Sequence, residues 1–68
     1  NIRFNSISPG GILQKQDKSF QKKISKLVPL SRMANISEIS SALVYLLSDK
    51  SSYTTGINMV IDGGRSTW

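Results

Sequence analysis

Tyr53-Thr54-Thr55-Gly56-Ile57-Asn58-Met59-Val60-Ile61-Asp62-Gly63-Gly64 is the part of this chain that most constrains its architecture. Residues 57–61 form a mostly apolar run between one glycine turn and a second. Such a run, without clean alternation, suits a strand buried on both faces, as in a parallel sheet. Its counterpart is Asn5-Ser6-Ile7-Ser8-Pro9-Gly10-Gly11-Ile12 near the other end. Ile2, Phe4 and Ile7 lie among strand formers, and Pro9 with the two glycines stops them. Proline has no backbone donor, and glycine permits positive φ. The expected strands are residues 2–7 and 57–61.

Between them the chain reads as helical. Residues 36–48 carry Ile36, Ile39, Leu43, Leu46 and Leu47 on one face, with Ala42 beside them and serines opposite. Asn35 is a good N-cap, and Glu38 stands three residues later, in capping-box position. Asp49 suits a further short turn through Ser52. Over residues 17–26, Phe20 and Ile24, followed by Leu27, make an apolar stripe, while Lys15, Lys18, Lys22 and Lys26 recur at helical spacing. Val28-Pro29 breaks this helix, because the residue before proline avoids the helical region.

Strand, helices, strand is a βαβ crossover, right-handed almost without exception. A parallel pair buried on both faces needs helices on both sides, and this sequence supplies one strong helix and one modest one. The reading is therefore the closing part of a larger α/β domain, with further residues expected upstream of Asn1. The missing initiator Met and the abrupt start inside a strand-like run agree with that expectation.

Composition removes several chemistries. The chain has 68 residues with no cysteine and no histidine, so thiolate metal sites, disulfides and imidazole bases are excluded. Asp17, Glu38, Asp49 and Asp62 are scattered, with no paired-carboxylate spacing. Nothing resembles a signal peptide, and no apolar run reaches the roughly 18 residues of a membrane span. The net charge of +5 points toward an anionic partner. However, five of the nine basic residues, Lys15, Lys18, Lys22, Lys23 and Lys26, share one segment.

Four pieces, N-S-I-S-P-G-G-I, P-L-S-R, E-I-S-S-A-L-V-Y-L-L-S-D and Y-T-T-G-I-N-M-V-I-D-G-G, occur in order at regular separations. Together the chain resembles the C-terminal part of a short-chain dehydrogenase/reductase. The resemblance implies an α/β fold, namely the C-terminal βαβ part of a Rossmann-like doubly wound parallel sheet. All of residues 1–68 would belong to that one dinucleotide-binding domain. It implies a nicotinamide-side loop at 8–14, a substrate lid at 13–28, the last helix at 36–48 and the last strand at 57–61.

Ligands of open α/β sheets bind beyond the carboxyl ends of strands, which is where Pro9-Gly10-Gly11-Ile12 falls. An isolated P-G-G would be a plain strand-ending turn; in register with the other motifs it takes a cofactor role. The resemblance implies that this loop packs on the nicotinamide ring of NAD or NADP and that the Ile12 main chain bonds the carboxamide. The family often has Thr where this chain has Gln14, whose amide could substitute as donor and acceptor. The implied cofactor-binding set is Pro9, Gly10, Gly11, Ile12 and Gln14, with no catalytic and no metal residue in this chain.

Tyr45 and Tyr53 fail as the family's Y-x-x-x-K tyrosine, since Asp49 and Ile57 stand where lysine is required. No G-x-G-x-x-G phosphate loop occurs either. Both features are expected upstream, so the 68 residues alone are expected to be inactive. Asp62 reads as a turn residue, and Arg32 suits either a carboxylate or a nearby carbonyl. The lysine face reads first as a solvated helix face, and second as a cationic lid for an anionic substrate. More loosely, the chain resembles family members of bacterial surface-sugar and flagellin-modification pathways. The implied whole is a cytoplasmic NAD(P)-dependent oxidoreductase acting on a small carbonyl or alcohol, with no nucleic-acid or membrane partner. A homo-oligomer through the last helix and strand is expected. Two other classes stand against it: a small basic nucleic-acid-binding module, which needs stacking aromatics beside its lysines, and a non-catalytic assembly domain of the same fold.

Overall fold

The computed structural model describes residues 2–68. Strand β1, Ser6–Pro9, is followed by helix α1, Lys18–Ser25, helix α2, Ile36–Leu47, a 3-10 turn Asp49–Ser51, strand β2, Asn58–Ile61, and a last 3-10 turn Arg65–Thr67. The strands pair in parallel, with Ser6 opposite Asn58 and Pro9 opposite Ile61. The expected parallel crossover is therefore present.

β1 lies later than residues 2–7. The bonds from Ser6 N to Ile57 O (3.0 Å) and from Gly10 N to Ile61 O (2.8 Å) set the parity of the ladder. Pro9 sits out of phase with these donors, so its missing N–H falls on the edge away from β2, and the strand runs through the proline. Residues 2–5 lie outside the ladder. The positive φ that glycine permits is not used at Gly10 or Gly11; the positive-φ glycines are Gly56, Gly63 and Gly64.

Asp17 caps α1, its Oδ1 accepting from Ser19 N (2.7 Å) and Phe20 N (3.3 Å). At α2, Glu38 Oε1 accepts from Asn35 N (2.9 Å), the reciprocal half of a capping box. The short turn after α2 is capped by Ser48 rather than Asp49, with Ser48 Oγ accepting from Lys50 N.

A contact with no local signal ties the chain's two ends. The Arg3 guanidinium donates to the carbonyls of Leu46, Ser48, Ser51 and Thr54 and to Ser51 Oγ, at 2.8–3.3 Å. Cationic donors suit the negative end of a helix. Ser51 is buried beneath this clamp, and its hydroxyl also lies 3.0 Å from the Leu46 carbonyl.

The apolar side chains are less covered than the sequence suggests. Among the described apolar residues only Val28, Met33 and Leu46 are buried. Ile39 and Ala42 are half-buried, while Ile36, Leu43, Val44 and Leu47 are exposed. β2 alternates, with Met59 and Ile61 half-buried and Asn58 and Val60 exposed, so it is not buried on both faces within these residues. The Cα radius of gyration is 14.0 Å, against about 11 Å for a compact domain of this length. The extents, 46 × 25 × 14 Å, describe a slab one layer thick. Such a sheet requires covering helices on both faces, and these extents leave no room for two covering layers.

Candidate functional site

The Pro9–Gln14 turn leaves the carboxyl end of β1 and runs beside Ala34. Ala34 N donates to Gly11 O (2.9 Å), and Leu13 N donates to Ala34 O (2.7 Å). These two bonds form a one-residue parallel bridge between Ile12 and Ala34. In such a bridge the N–H and C=O of Ile12 project from the opposite side. The peptide between Gly11 and Ile12 is trans and planar. Fixing the Gly11 carbonyl on Ala34 therefore aims the Ile12 N–H the other way. That N–H has no hydrogen-bond partner among the described residues. The Ile12 carbonyl accepts one bond, from Gln16 Nε2 at 3.0 Å, and keeps a second lone pair.

Gly10 and Gly11 serve close approach rather than unusual torsion. A Cβ on Gly10 would lie 2.9 Å from both Cα and Cβ of Asp62. A Cβ on Gly11 would lie 3.3 Å from Ile24 Cγ2 and Met33 Cε. Asp62 in turn is fixed as the expected turn residue, its carboxylate accepting from Gly64 N and Ser66 N, each at 3.0 Å. Desolvation works to raise its pKa, but the hydrogen bonds from Ser66 and Gly64 together outweigh it and hold the carboxyl below its ordinary value. The structure thus brings Pro9, Gly10, Gly11 and Ile12 together at one strand end. Gln14 is exposed, with its N–H donated to Gln16 Oε1 at 2.7 Å.

A cavity of about 80 Å³ lies behind the turn, walled by Gly11, Ile24, Val28, Leu30, Met33 and Ile61. Arg32 and Glu38 also line it. Their bidentate pair, Nη1 to Oε1 at 2.7 Å and Nη2 to Oε2 at 2.9 Å, joins the segment after α1 to the first turn of α2. Arg32 also donates to Met33 O at 3.2 Å, so both expected partner types are met. The Arg32 hydrogen bonds and the Asn35 N–H lower the Glu38 pKa to about 2.

Lys18, Lys22 and Lys26 recur every four residues and so share one side of α1, away from Phe20 and Ile24. All five lysines of the segment are exposed. Phe20 therefore stands off the Lys18–Lys22–Lys26 side, with Lys23, three residues on, beside it. Tyr45 OH lies 3.4 Å from Thr54 Oγ1, and Tyr53 is fully exposed. Neither has a lysine in the required register. Among the described residues no group of His, Cys, Asp and Glu is placed to hold a metal ion, and no helix is long and apolar enough to cross a membrane. Sequence reasoning missed Gln16, whose two amide bonds depend on how the turn folds back.

In open α/β sheets ligands bind beyond the carboxyl ends of the strands, which is where this turn lies after β1. Comparison with known proteins is consistent with a sheet of this class. The family described as Enoyl-(Acyl carrier protein) reductase matches residues 1–66. The NADP-dependent mannitol dehydrogenase of Hypocrea jecorina is 45% identical over 69 residues, covering 96% of this chain and 26% of that protein. Post-translational flagellin modification protein A of Campylobacter coli is 41% identical over 64 residues, covering 94% of this chain and 25% of that protein. A short chain dehydrogenase from Leptospira borgpetersenii, solved with bound NAD+, superposes with a TM-score of 0.84 at 42% identity, covering 94% of this chain and 25% of that one. The chain belongs to the short-chain dehydrogenase/reductase family. It spans about a quarter of the length of the curated relatives it matches.

Proposed function

We propose that this chain forms the nicotinamide side of an NAD(P)-dependent oxidoreductase, with Ile12 as the main-chain contact to the carboxamide. The observation that carries the reading is the Ile12 N–H just beyond β1, which faces away from Ala34 and has no partner among the described residues. It offers a donor beside a carbonyl with a spare lone pair, which matches a group that both accepts and donates. Pro9, Gly10 and Gly11 make the adjoining surface without side-chain bulk at the glycines, and exposed Gln14 can add an amide contact. When bound, the nicotinamide supplies hydride exchange with a carbonyl or alcohol carbon. The chain's own residues bind, orient and shield that ring, and α1 with residues 13–28 serves as the substrate lid. The tyrosine that moves the proton belongs to the same domain outside these residues.

The substrate class is a small polyol, sugar or related carbonyl compound, as in surface-sugar or flagellin-modification chemistry. The names of the relatives support this breadth, and the lysine face suits an anionic member of it. The cytoplasm is the proposed site of action, and the exposed apolar residues of α2 and β2 the seam of a homo-oligomer.

Coenzyme binding by the full-length protein tests the reading. NADH or NADPH should bind more tightly than ADP-ribose, which lacks the nicotinamide, and Ile12→Pro should remove that excess. An excess unchanged in Ile12→Pro would overturn the Ile12 assignment. Purified residues 1–68 should show no turnover, and steady oxidation of NADH or NADPH with a carbonyl substrate would refute the placement of the reacting groups elsewhere.

A further inference from the structure

We infer that Gln16 is the positioning residue of the nicotinamide contact, acting through Ile12; this rests on the Ile12 reading above. One side-chain amide makes two bonds across the turn. Its Nε2 donates to Ile12 O at 3.0 Å, and its Oε1 accepts from Gln14 N at 2.7 Å. Only one orientation of the amide satisfies both partners, since the nitrogen must donate and the oxygen must accept. The clip therefore holds the Ile12–Leu13 peptide at its carbonyl and the Leu13–Gln14 peptide at its N–H. Ala34 fixes the other side of the same residue through Gly11 O and Leu13 N. Ile12 is thus gripped from both edges, and its N–H is the main-chain group left facing outward.

The grip extends into the lid. Gln21 Nε2, on α1, donates to Gln16 O at 2.7 Å, and Asp17, the next residue, caps α1. Gln16 is half-buried, whereas its neighbours Gln14 and Lys15 are exposed. Its main chain is held by α1 while its side chain holds the turn, so the direction of the Ile12 groups depends on the placement of α1. Preorganising a contact in this way improves binding by reducing the ordering cost at the moment of association.

The test measures dissociation constants of NADH, or NADPH if that is the preferred coenzyme, and of ADP-ribose for the full-length protein. It compares wild type, Gln16→Ala, Gln16→Glu and Ile12→Pro. Gln16→Glu keeps an acceptor for Gln14 N but cannot donate to Ile12 O when ionised. We expect Gln16→Ala and Gln16→Glu to weaken the dinucleotide about fivefold, the scale of one net hydrogen bond, and to leave ADP-ribose binding unchanged. Equal weakening of both ligands would mean a general structural role and overturn the positioning role. So would an unchanged nicotinamide-dependent affinity in the Gln16 variants while Ile12→Pro loses it. Loss in neither Ile12→Pro nor the Gln16 variants would instead bring down the Ile12 reading itself.

Discussion

Replacing Gly10 by alanine should be far more damaging than replacing its neighbour Gly11, and the reason is which atoms stand in the way. At Gly10 the new Cβ would meet Asp62 Cα and Cβ at 2.9 Å, well inside the 3.5–4.0 Å or so of ordinary carbon contacts. Asp62 cannot retreat cheaply. Its carboxylate holds Gly64 N and Ser66 N, its carbonyl accepts from Arg65 N at 3.2 Å, and the preceding Ile61 O holds Gly10 N. Relief requires β1 and β2 to part at their last bond. Overpacking of this kind costs about 1–3 kcal/mol, and a lost main-chain hydrogen bond adds about 1 kcal/mol, so Gly10→Ala should cost about 2–4 kcal/mol. At Gly11 the obstacles are Ile24 Cγ2 and Met33 Cε at 3.3 Å. Both are side-chain ends able to shift by a few tenths of an ångström, and the cost should stay below about 1 kcal/mol. The assay is denaturant unfolding of the full-length protein, with coenzyme affinity as second readout, because opening the strand end displaces Ile12. A Gly10→Ala variant within about 0.5 kcal/mol of wild type, or a Gly11→Ala variant that is worse, would refute the reasoning.

Further outcomes follow from the same geometry. Arg3→Met should destabilise the protein by about 2–3 kcal/mol, the range of a charge-assisted hydrogen bond removed from partners left behind. Arg3→Lys should rescue it only in part, since lysine lacks the planar fork; amide hydrogen exchange over residues 48–54 reads the loss. Glu38 has a folded pKa of about 2 against an ordinary 4.5, so its stabilising effect is complete above about pH 4.5. It is lost as the pH falls from there toward 2, and a carboxyl titration by NMR should show the depressed midpoint return toward normal in Arg32→Met. Ser31 has a φ of 61° without being glycine, so Ser31→Gly should be neutral or stabilising by up to about 1 kcal/mol. Gly64→Ala should be destabilising, because φ is 93° there and a Cβ would meet Pro29 Cγ at 3.0 Å; unfolding curves of the pair check the opposite signs.

The helices were legible because their signals are local. Glu38 three residues after Asn35 and the apolar spacing of residues 36–47 define α2 without reference to anything distant; the Asp17 cap of α1 is equally local but was not read from the sequence. The strands were legible in kind but not in register. β1 begins where β2 offers partners, and that pairing is set 52 residues away in sequence, as the bond from Ile57 N to Asn5 Oδ1 shows. The Arg3 clamp was invisible for the same reason, since its acceptors lie 43–51 residues on. In the site, Pro9, Gly10, Gly11 and Ile12 stand together at the strand end as the sequence motif suggested. The use of the glycines for contact with Asp62, Ile24 and Met33 rather than for positive φ needed the fold. Gln16 needed it too, because an amide clip across a turn leaves no pattern in residue type. Leu43, Leu47 and Val60 are exposed: periodicity reports which side is apolar, not whether anything lies on it.

Pro9 also governs how β1 can be approached from its open side. A strand laid along that edge would find the N–H of Ile7 but none at Pro9, so its ladder would lose a rung at that level. The proline thus limits the length of any neighbouring strand at the height where the turn must swing free. One ring therefore sets the level at which pairing on that side of β1 must stop.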